Sequence, residues 1–224
     1  MGEALSRVGR TNIVAEIKHR SPSKGIIREE FDPETIAISY EKAGAAALSV
    51  LTEEDFFGGS LNHLRAVRER VGLPLLRKDF LFDEYQIHEA LAAGADAVLL
   101  IVAMLEDKLL ADLIALASEL KLDALVEVHN AREMERAVTA RAGLIGVNNR
   151  DLTTFTVELE TSELLATLAP RNAVLVSESG IRTGQDIYRL KQSGYNAFLV
   201  GEHFMRAADP GEALRRLVAS AESE

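Results

Sequence analysis

Short apolar runs recur along this chain at regular intervals. Each ends in polar residues and is followed by a stretch with helical apolar spacing. The runs are Ile13–Lys18, Ala46–Leu51, Leu73–Lys78, Ala97–Ile101, Ala124–Glu127, Leu144–Val147, Val174–Ser177 and Ala197–Val200. These eight runs start about 26 residues apart, room for a strand, a helix and two short loops. They are nearly continuous in apolar residues rather than alternating, as expected of parallel strands covered on both faces.

The intervening helices carry start and stop signals. Asp32-Pro33 reads as an N-cap followed by proline in the first turn, and Asp209-Pro210 repeats it. Ser60 opens a helix with Leu61, Leu64 and Val67 on one face. Asp83 opens another that stops at Ala93-Gly94, and Thr183 precedes a seventh. Gly44 and Gly194 sit where helix-ending glycines sit. Eight such units predict a single-domain α/β fold, a (β/α)₈ barrel over residues 1–224 with no linker dividing it. A doubly wound open sheet is the alternative, but it uses fewer strands and a glycine-rich first turn. The first turn here is Ser21-Pro22-Ser23-Lys24-Gly25.

In such a barrel the chemistry sits at the C-terminal ends of the strands. Seven of the eight runs finish in polar residues, a pattern that core packing does not require. Glu16 and Lys18 lie two apart, so both point the same way. Taken alone, this pair reads equally well as a structural ion pair. Lys78, Glu127, Asn148, Arg150, Glu178 and Ser179 converge on the same end and favour a functional reading. Ser179-Gly180 and Gly201-Glu202 follow the seventh and eighth strands, where backbone N–H groups commonly hold phosphate. Glu202-His203-Phe204-Met205 is a candidate short helix there, and Ser21 a candidate hydroxyl donor. Either glycine alone is more simply a turn residue. Phe56, Phe57, Phe80 and Phe82 are expected to pack, with Phe57 and Phe80 placed to flank an aromatic ligand. His63 and His88 are expected to face solvent, and Lys24 and Arg28 to ride on a mobile first loop.

Composition narrows the classes. The formal charge of −10 argues against a broad nucleic-acid or anionic-membrane surface but leaves room for a local anion pocket. With no cysteine, thiolate nucleophiles, disulfides and Cys-based metal sites are excluded. The five histidines make no metal-binding spacing. A cytoplasmic protein without metal or cofactor is expected.

Several motifs together resemble the indole-3-glycerol phosphate synthase family. They are Glu16-Ile17-Lys18, Ser21-Pro22-Ser23-Lys24-Gly25, Leu51-Thr52-Glu53, Phe57-Gly58-Gly59-Ser60 and Leu76-Arg77-Lys78-Asp79-Phe80, followed by Val126-Glu127-Val128-His129, Asn148-Asn149-Arg150-Asp151-Leu152, Ser177-Glu178-Ser179-Gly180-Ile181 and Val200-Gly201-Glu202. The resemblance implies ring closure, decarboxylation and dehydration of 1-(2-carboxyphenylamino)-1-deoxyribulose 5-phosphate, in tryptophan biosynthesis. It implies Lys78 as general acid, and Lys18, held by Glu16, against the substrate carboxylate. Glu127 would join Lys18 in the dehydration. Asn148, Arg150, Glu178 and Ser179 would orient ring and sugar hydroxyls, and Ser21, Gly180, Gly201 and the Glu202 backbone would hold phosphate. Lys78 is expected to sit among cations that lower its pKa. The resemblance also implies a longer leading segment than Met1–Arg10, so weaker covering of the mouth is expected, and His19 stands where a more basic residue is common. A monomer is expected, with association with other pathway enzymes left open. Two other readings stay open: another phosphate-sugar barrel isomerase, and a non-catalytic barrel that binds a phosphorylated ligand.

Overall fold

A computed structural model of the chain describes residues 1–151 and 153–223; Leu152, at the end of one quoted motif, lies outside them. Eight parallel strands close into a barrel: β1 (Asn12–Ile17), β2 (Ala47–Leu51), β3 (Leu75–Lys78), β4 (Ala97–Ile101), β5 (Asp123–Val128), β6 (Leu144–Asn148), β7 (Val174–Glu178) and β8 (Ala197–Val200). Closure comes from β1, which pairs with β8 on one side (Asn12 opposite Ala197) and β2 on the other (Val14 opposite Ala47). The predicted strands are all present, with ends shifted by at most two residues.

The helices around the barrel are α2 (Pro33–Lys42), α3 (Leu61–Arg68), α4 (Glu84–Ala92), α5 (Asp107–Glu119), α6 (Ala131–Thr139), α7 (Glu160–Ala166), α8 (Gly184–Gln192) and α10 (Pro210–Glu222). Two four-residue turns, α1 (Gly2–Leu5) and α9 (Glu202–Met205), complete the set. The caps the sequence marks are present, and Asn130 adds an unmarked one at α6. Asp32, Ser60, Asp83, Thr183 and Asp209 each accept backbone N–H bonds from the first turn, and Asp83 with Gln86 forms a reciprocal capping box.

Apolar side chains divide into two layers. Val14, Leu76, Leu99, Leu125, Val176 and Leu199 point inward and fill the barrel. Ile13, Val98, Val126, Ile145 and Phe198 point outward and pack beneath the helices with Ile87, Leu113 and Leu214. Leu5 of α1 joins the inner layer, and Asn12 at the start of β1 donates to the Leu5 and Arg7 carbonyls. The leading residues therefore close the N-terminal end of the barrel and leave the opposite end open. No helix among the described residues is long and apolar enough to cross a membrane.

The first loop departs from expectation. Arg20–Ser21 and Gly25–Ile26 form a small antiparallel hairpin, and Ile27 behind it is buried. Arg28 is not free in solvent: its guanidinium donates to the carbonyl of Met205 at the end of α9 and to those of Ala207 and Ala208 just past it. Lys24 is exposed, as expected. His63 is half-buried, packed edge-on against Phe31, and desolvation holds its pKa down. His19 stacks on the other side of Phe31 at 5.0 Å instead of entering the barrel mouth as an ion contact. Phe56 and Phe82 are exposed and do not pack as expected, and His88 is exposed as expected.

Candidate active site

The C-terminal mouth of the barrel holds a cavity of about 570 Å³. All fourteen residues singled out as site candidates line it. Strand parity explains the convergence. On β3, Arg77 points outward to α4 while Lys78, one residue on, points into the mouth. On β5, β6 and β7 the inward residue at the end is Glu127, Asn148 or Glu178.

Two charged groups occupy the floor. The Lys18 ammonium is paired with the Glu16 carboxylate. Lys78 Nζ lies 3.0 Å from Glu127 Oε2 and in direct contact with Glu178 Oε2. Glu127 Oε1 also accepts from Asn148 Nδ2 at 3.2 Å, and Asn148 Oδ1 accepts from the Arg150 backbone N–H. Glu178 Oε1 has no hydrogen-bond partner among the described residues.

The electrostatics follow from this geometry. Burial disfavours the Lys78 ammonium, but Glu127, Glu178 and Glu16 outweigh it and push its pKa above the usual lysine value. The expectation of a lysine depressed by neighbouring cations is therefore corrected, because its neighbours are carboxylates. Burial also pushes against ionised Glu127, yet Lys78 and His129 hold its pKa well below the usual range. Glu178 is pushed up to about 7 by burial and by the Glu127 charge, with Lys78 opposing.

Two glycines make room for these acids. A Cβ on Gly201 would collide with the Glu16 carboxylate, and one on Gly146 with that of Glu178. The first clash gives Gly201 a need for glycine beyond the turn or phosphate contact expected of it, and nothing local in the sequence marks the second. Gly180 has φ +86°, and Ser179 before it has φ +67°, a left-handed conformation that is costly for serine. Asn149, which points away from the mouth, supports that turn. Its amide donates to Ser177 Oγ and to the carbonyls of Glu178 and Ser179, each at 3.0 Å.

One wall is apolar and aromatic. Phe57 and Phe80 lie 6.2 Å apart and tilted, with Leu51, Leu99 and Ile101 below them. Glu53 fixes Phe57 from behind by accepting backbone N–H bonds from Asp55, Phe56 and Phe57. The opposite wall carries Ser21, Ser179, Gly180, Gly201 and Glu202, with Arg182 and Arg206, which the sequence reading missed. Their marker was a cation a few residues beyond each glycine. Ser21 Oγ is buried with no partner among the described residues. The Glu202 carboxylate is turned onto Arg206, 2.9 Å away; burial raises its pKa, but Arg206, Lys18 and Lys24 bring it below the usual range.

Residues 2–217 match the family model described as indole-3-glycerol phosphate synthase. The chain belongs to this family. It is 53% identical over 212 residues to the indole-3-glycerol phosphate synthase of Carboxydothermus hydrogenoformans, covering 94% of this chain and 80% of that one. The synthase of Albidiferax ferrireducens is also 53% identical, with 95% and 81% covered. Among solved structures, 3-hexulose-6-phosphate synthase from Salmonella typhimurium superposes with a TM-score of 0.76 at 15% identity, covering 95% and 99% of the two chains, a likeness of fold alone.

Proposed function

We propose that this chain performs the synthase reaction at the mouth described above, joining the aromatic ring to the ketone of 1-(2-carboxyphenylamino)-1-deoxyribulose 5-phosphate and expelling carbon dioxide and water. The observation that carries this reading is a buried ammonium, Lys78, held between two carboxylates inside a cavity with one aromatic and one cationic wall. The carboxyphenyl ring fits against the wall formed by Phe57 and Phe80, and the phosphate at the far wall. There the Ser21 hydroxyl, the N–H groups of Gly180, Gly201 and Glu202, Arg182 and Arg206 supply donors.

Lys18, with its Glu16 partner, faces the substrate carboxylate until carbon dioxide leaves. Lys78 delivers a proton to the ketone oxygen as the ring carbon attacks. Its high pKa makes it a weak acid alone, and Glu178 in contact with it, pushed up to about 7, is a second group able to hold a proton beside the ketone oxygen. Glu127, held ionised, takes the proton lost from carbon as water departs. Asn148 fixes Glu127 and Arg150, and Ser179 offers its hydroxyl to the sugar chain. The electron pair released with carbon dioxide restores ring aromaticity. A cytoplasmic monomer accompanies this reading. Mixing the chain with the carboxyphenylamino substrate should produce indole fluorescence; a flat trace with folded protein would refute the assignment.

A further inference from the structure

Counting protons through the proposed reaction leaves a debt. The substrate carboxylate is ionised at neutral pH. The ketone oxygen takes two protons before it leaves as water, and one proton comes back from the carbon beside nitrogen. Loss of carbon dioxide leaves its electron pair in the ring, and the product carries no carboxylate. Each turnover therefore takes up one proton from solvent, while the substrate fills the mouth through which solvent would enter.

A second cavity, of about 330 Å³, lies behind the site and is lined by His129, Glu133, Asn149, Asp151, Glu158 and Thr161. Asn148 lines both cavities. Glu127 faces the mouth, and His129, two residues along the same strand end, faces the second cavity. His129 Nε2 lies 3.2 Å from Glu127 Oε1, too far off line for a hydrogen bond, and makes none with any other of the described residues. Nδ1 lies 2.9 Å from Glu133 Oε2, which also accepts the His129 backbone N–H. Glu133 is anchored by Asn130 at 2.6 Å. Polar atoms therefore follow one another from Lys78 through Glu127 and His129 to Glu133 at 3.2 Å or less, and only the His129–Glu127 step needs a small turn of the ring to become a hydrogen bond.

We propose that His129 and Glu133 form a relay that carries a proton from the second cavity to Glu127, and through it to Lys78, once per turnover. The relay rests on the function proposed above. The proton leaves His129 Nε2 for Glu127 Oε1, and the Glu127 carboxyl group then turns to offer it to the Lys78 amine that has just acted as acid; the neutral imidazole turns over so that its bare nitrogen meets the second cavity and takes a replacement from water or Glu133. The two acids flanking the imidazole favour its charged form, and burial opposes this; its pKa is raised to about 9, so the relay stands loaded at neutral pH. His129 acts through Glu127 and is a positioning residue, not a catalytic one.

The test is His129→Gln in a rapid-mixing assay with the carboxyphenylamino substrate. A first turnover draws on the proton already present, so we expect a burst of about one equivalent of indole product per site. A steady rate about 10–100-fold below wild type should follow, as for loss of an acid-base group. Added imidazole should speed the slow phase and leave the burst unchanged. Glu133→Gln, which keeps a hydrogen-bonding side chain at the start of α6, should show the same burst with a smaller fall. It carries the test if His129→Gln does not fold by circular dichroism. Wild-type steady-state rates, or a loss that slows the first turnover equally and ignores imidazole, would overturn the relay. The wild-type trace separates the two claims: if it makes no indole product, the proposed function fails, and if it does while the variants match it, only the relay fails.

Discussion

Arg77 and Lys78 are neighbours on β3, and each sits in a buried ion network, yet the two networks differ in kind. The Arg77 guanidinium faces α4 and is closed on every side. It meets Asp79 at 3.1 Å, Glu89 at 2.8 Å, Thr52 Oγ1 at 3.2 Å and the Gln86 carbonyl at 3.0 Å. The Lys78 ammonium faces a cavity and is outnumbered by carboxylates, and Glu178 Oε1 has no hydrogen-bond partner among the described residues. Burial of charge is common to both. What separates a site from a scaffold here is unfinished hydrogen bonding beside open volume.

The sharpest way to break this comparison is to give both residues the same substitution. Lys78→Met should cut kcat by ~10²–10⁴ or more, the range for a general acid, with the far-ultraviolet spectrum unchanged. Retention of wild-type kcat would remove Lys78 from its role. Glu127→Gln should lose about 10²-fold in kcat, and single-turnover traces should show a decarboxylated, still hydroxylated species building up. Equal loss of binding and rate with no such species would make Glu127 structural. Arg77→Met should do the reverse, costing about 3–5 kcal/mol of stability because Asp79 and Glu89 lose their partner. Its kcat per folded molecule should stay near wild type. A denaturant titration together with active-site counting checks both halves.

The barrel was legible because its determinants are local. Apolar runs, N-cap residues and strand-end polar residues are each read within a few positions, which is why β1 to β8 and the caps at Asp32, Ser60, Asp83, Thr183 and Asp209 fall where expected. Parity along a strand also located the inward set, Glu16, Lys78, Glu127, Asn148 and Glu178. What it could not supply was the partner across the barrel. The surroundings of Lys78 depend on Glu178, a hundred positions away, so the local pattern points its pKa in the wrong direction. Gly146 and Gly201 are likewise explained only by acids on adjacent strands, and Arg28 by carbonyls beyond α9.

Two smaller effects sharpen the contrast further. Gly201→Ala sets a methyl group against the buried Glu16 side chain, from its carboxylate down to its Cβ at 3.0 Å. Stability should fall by about 1–3 kcal/mol, as for an overpacked site, while the displaced Glu16–Lys18 pair should cost activity. An unchanged kcat/KM would show that this pair tolerates displacement. The smallest effect concerns pH. Because the Glu178 pKa rises from 4.5 to about 7 on folding, the folded chain binds more protons than the unfolded one between those values. This group therefore lowers stability as pH rises through that window. Glu178→Gln should flatten that part of the pH–stability curve, and an identical slope in both proteins would mean Glu178 titrates elsewhere.

The opposite facing of Arg77 and Lys78 also bears on how β3 finds its place. β3 is four residues long and pairs with β2 at four positions, but with β4 at only two. Such a short seam offers little to distinguish correct pairing from a one-residue slip. Yet a slip would drive the guanidinium into the barrel and the ammonium against α4. Asp79, Thr52 and Glu89 on one face and Glu127 and Glu178 on the other thus act as a two-sided key that only one alignment satisfies. Refolding should therefore slow more in the double variant Arg77→Met, Lys78→Met than the sum of the two single effects, whereas strictly additive barriers would assign the choice of alignment to the apolar residues Leu75 and Leu76. On this view the residues that perform the chemistry also proofread the strand that carries them.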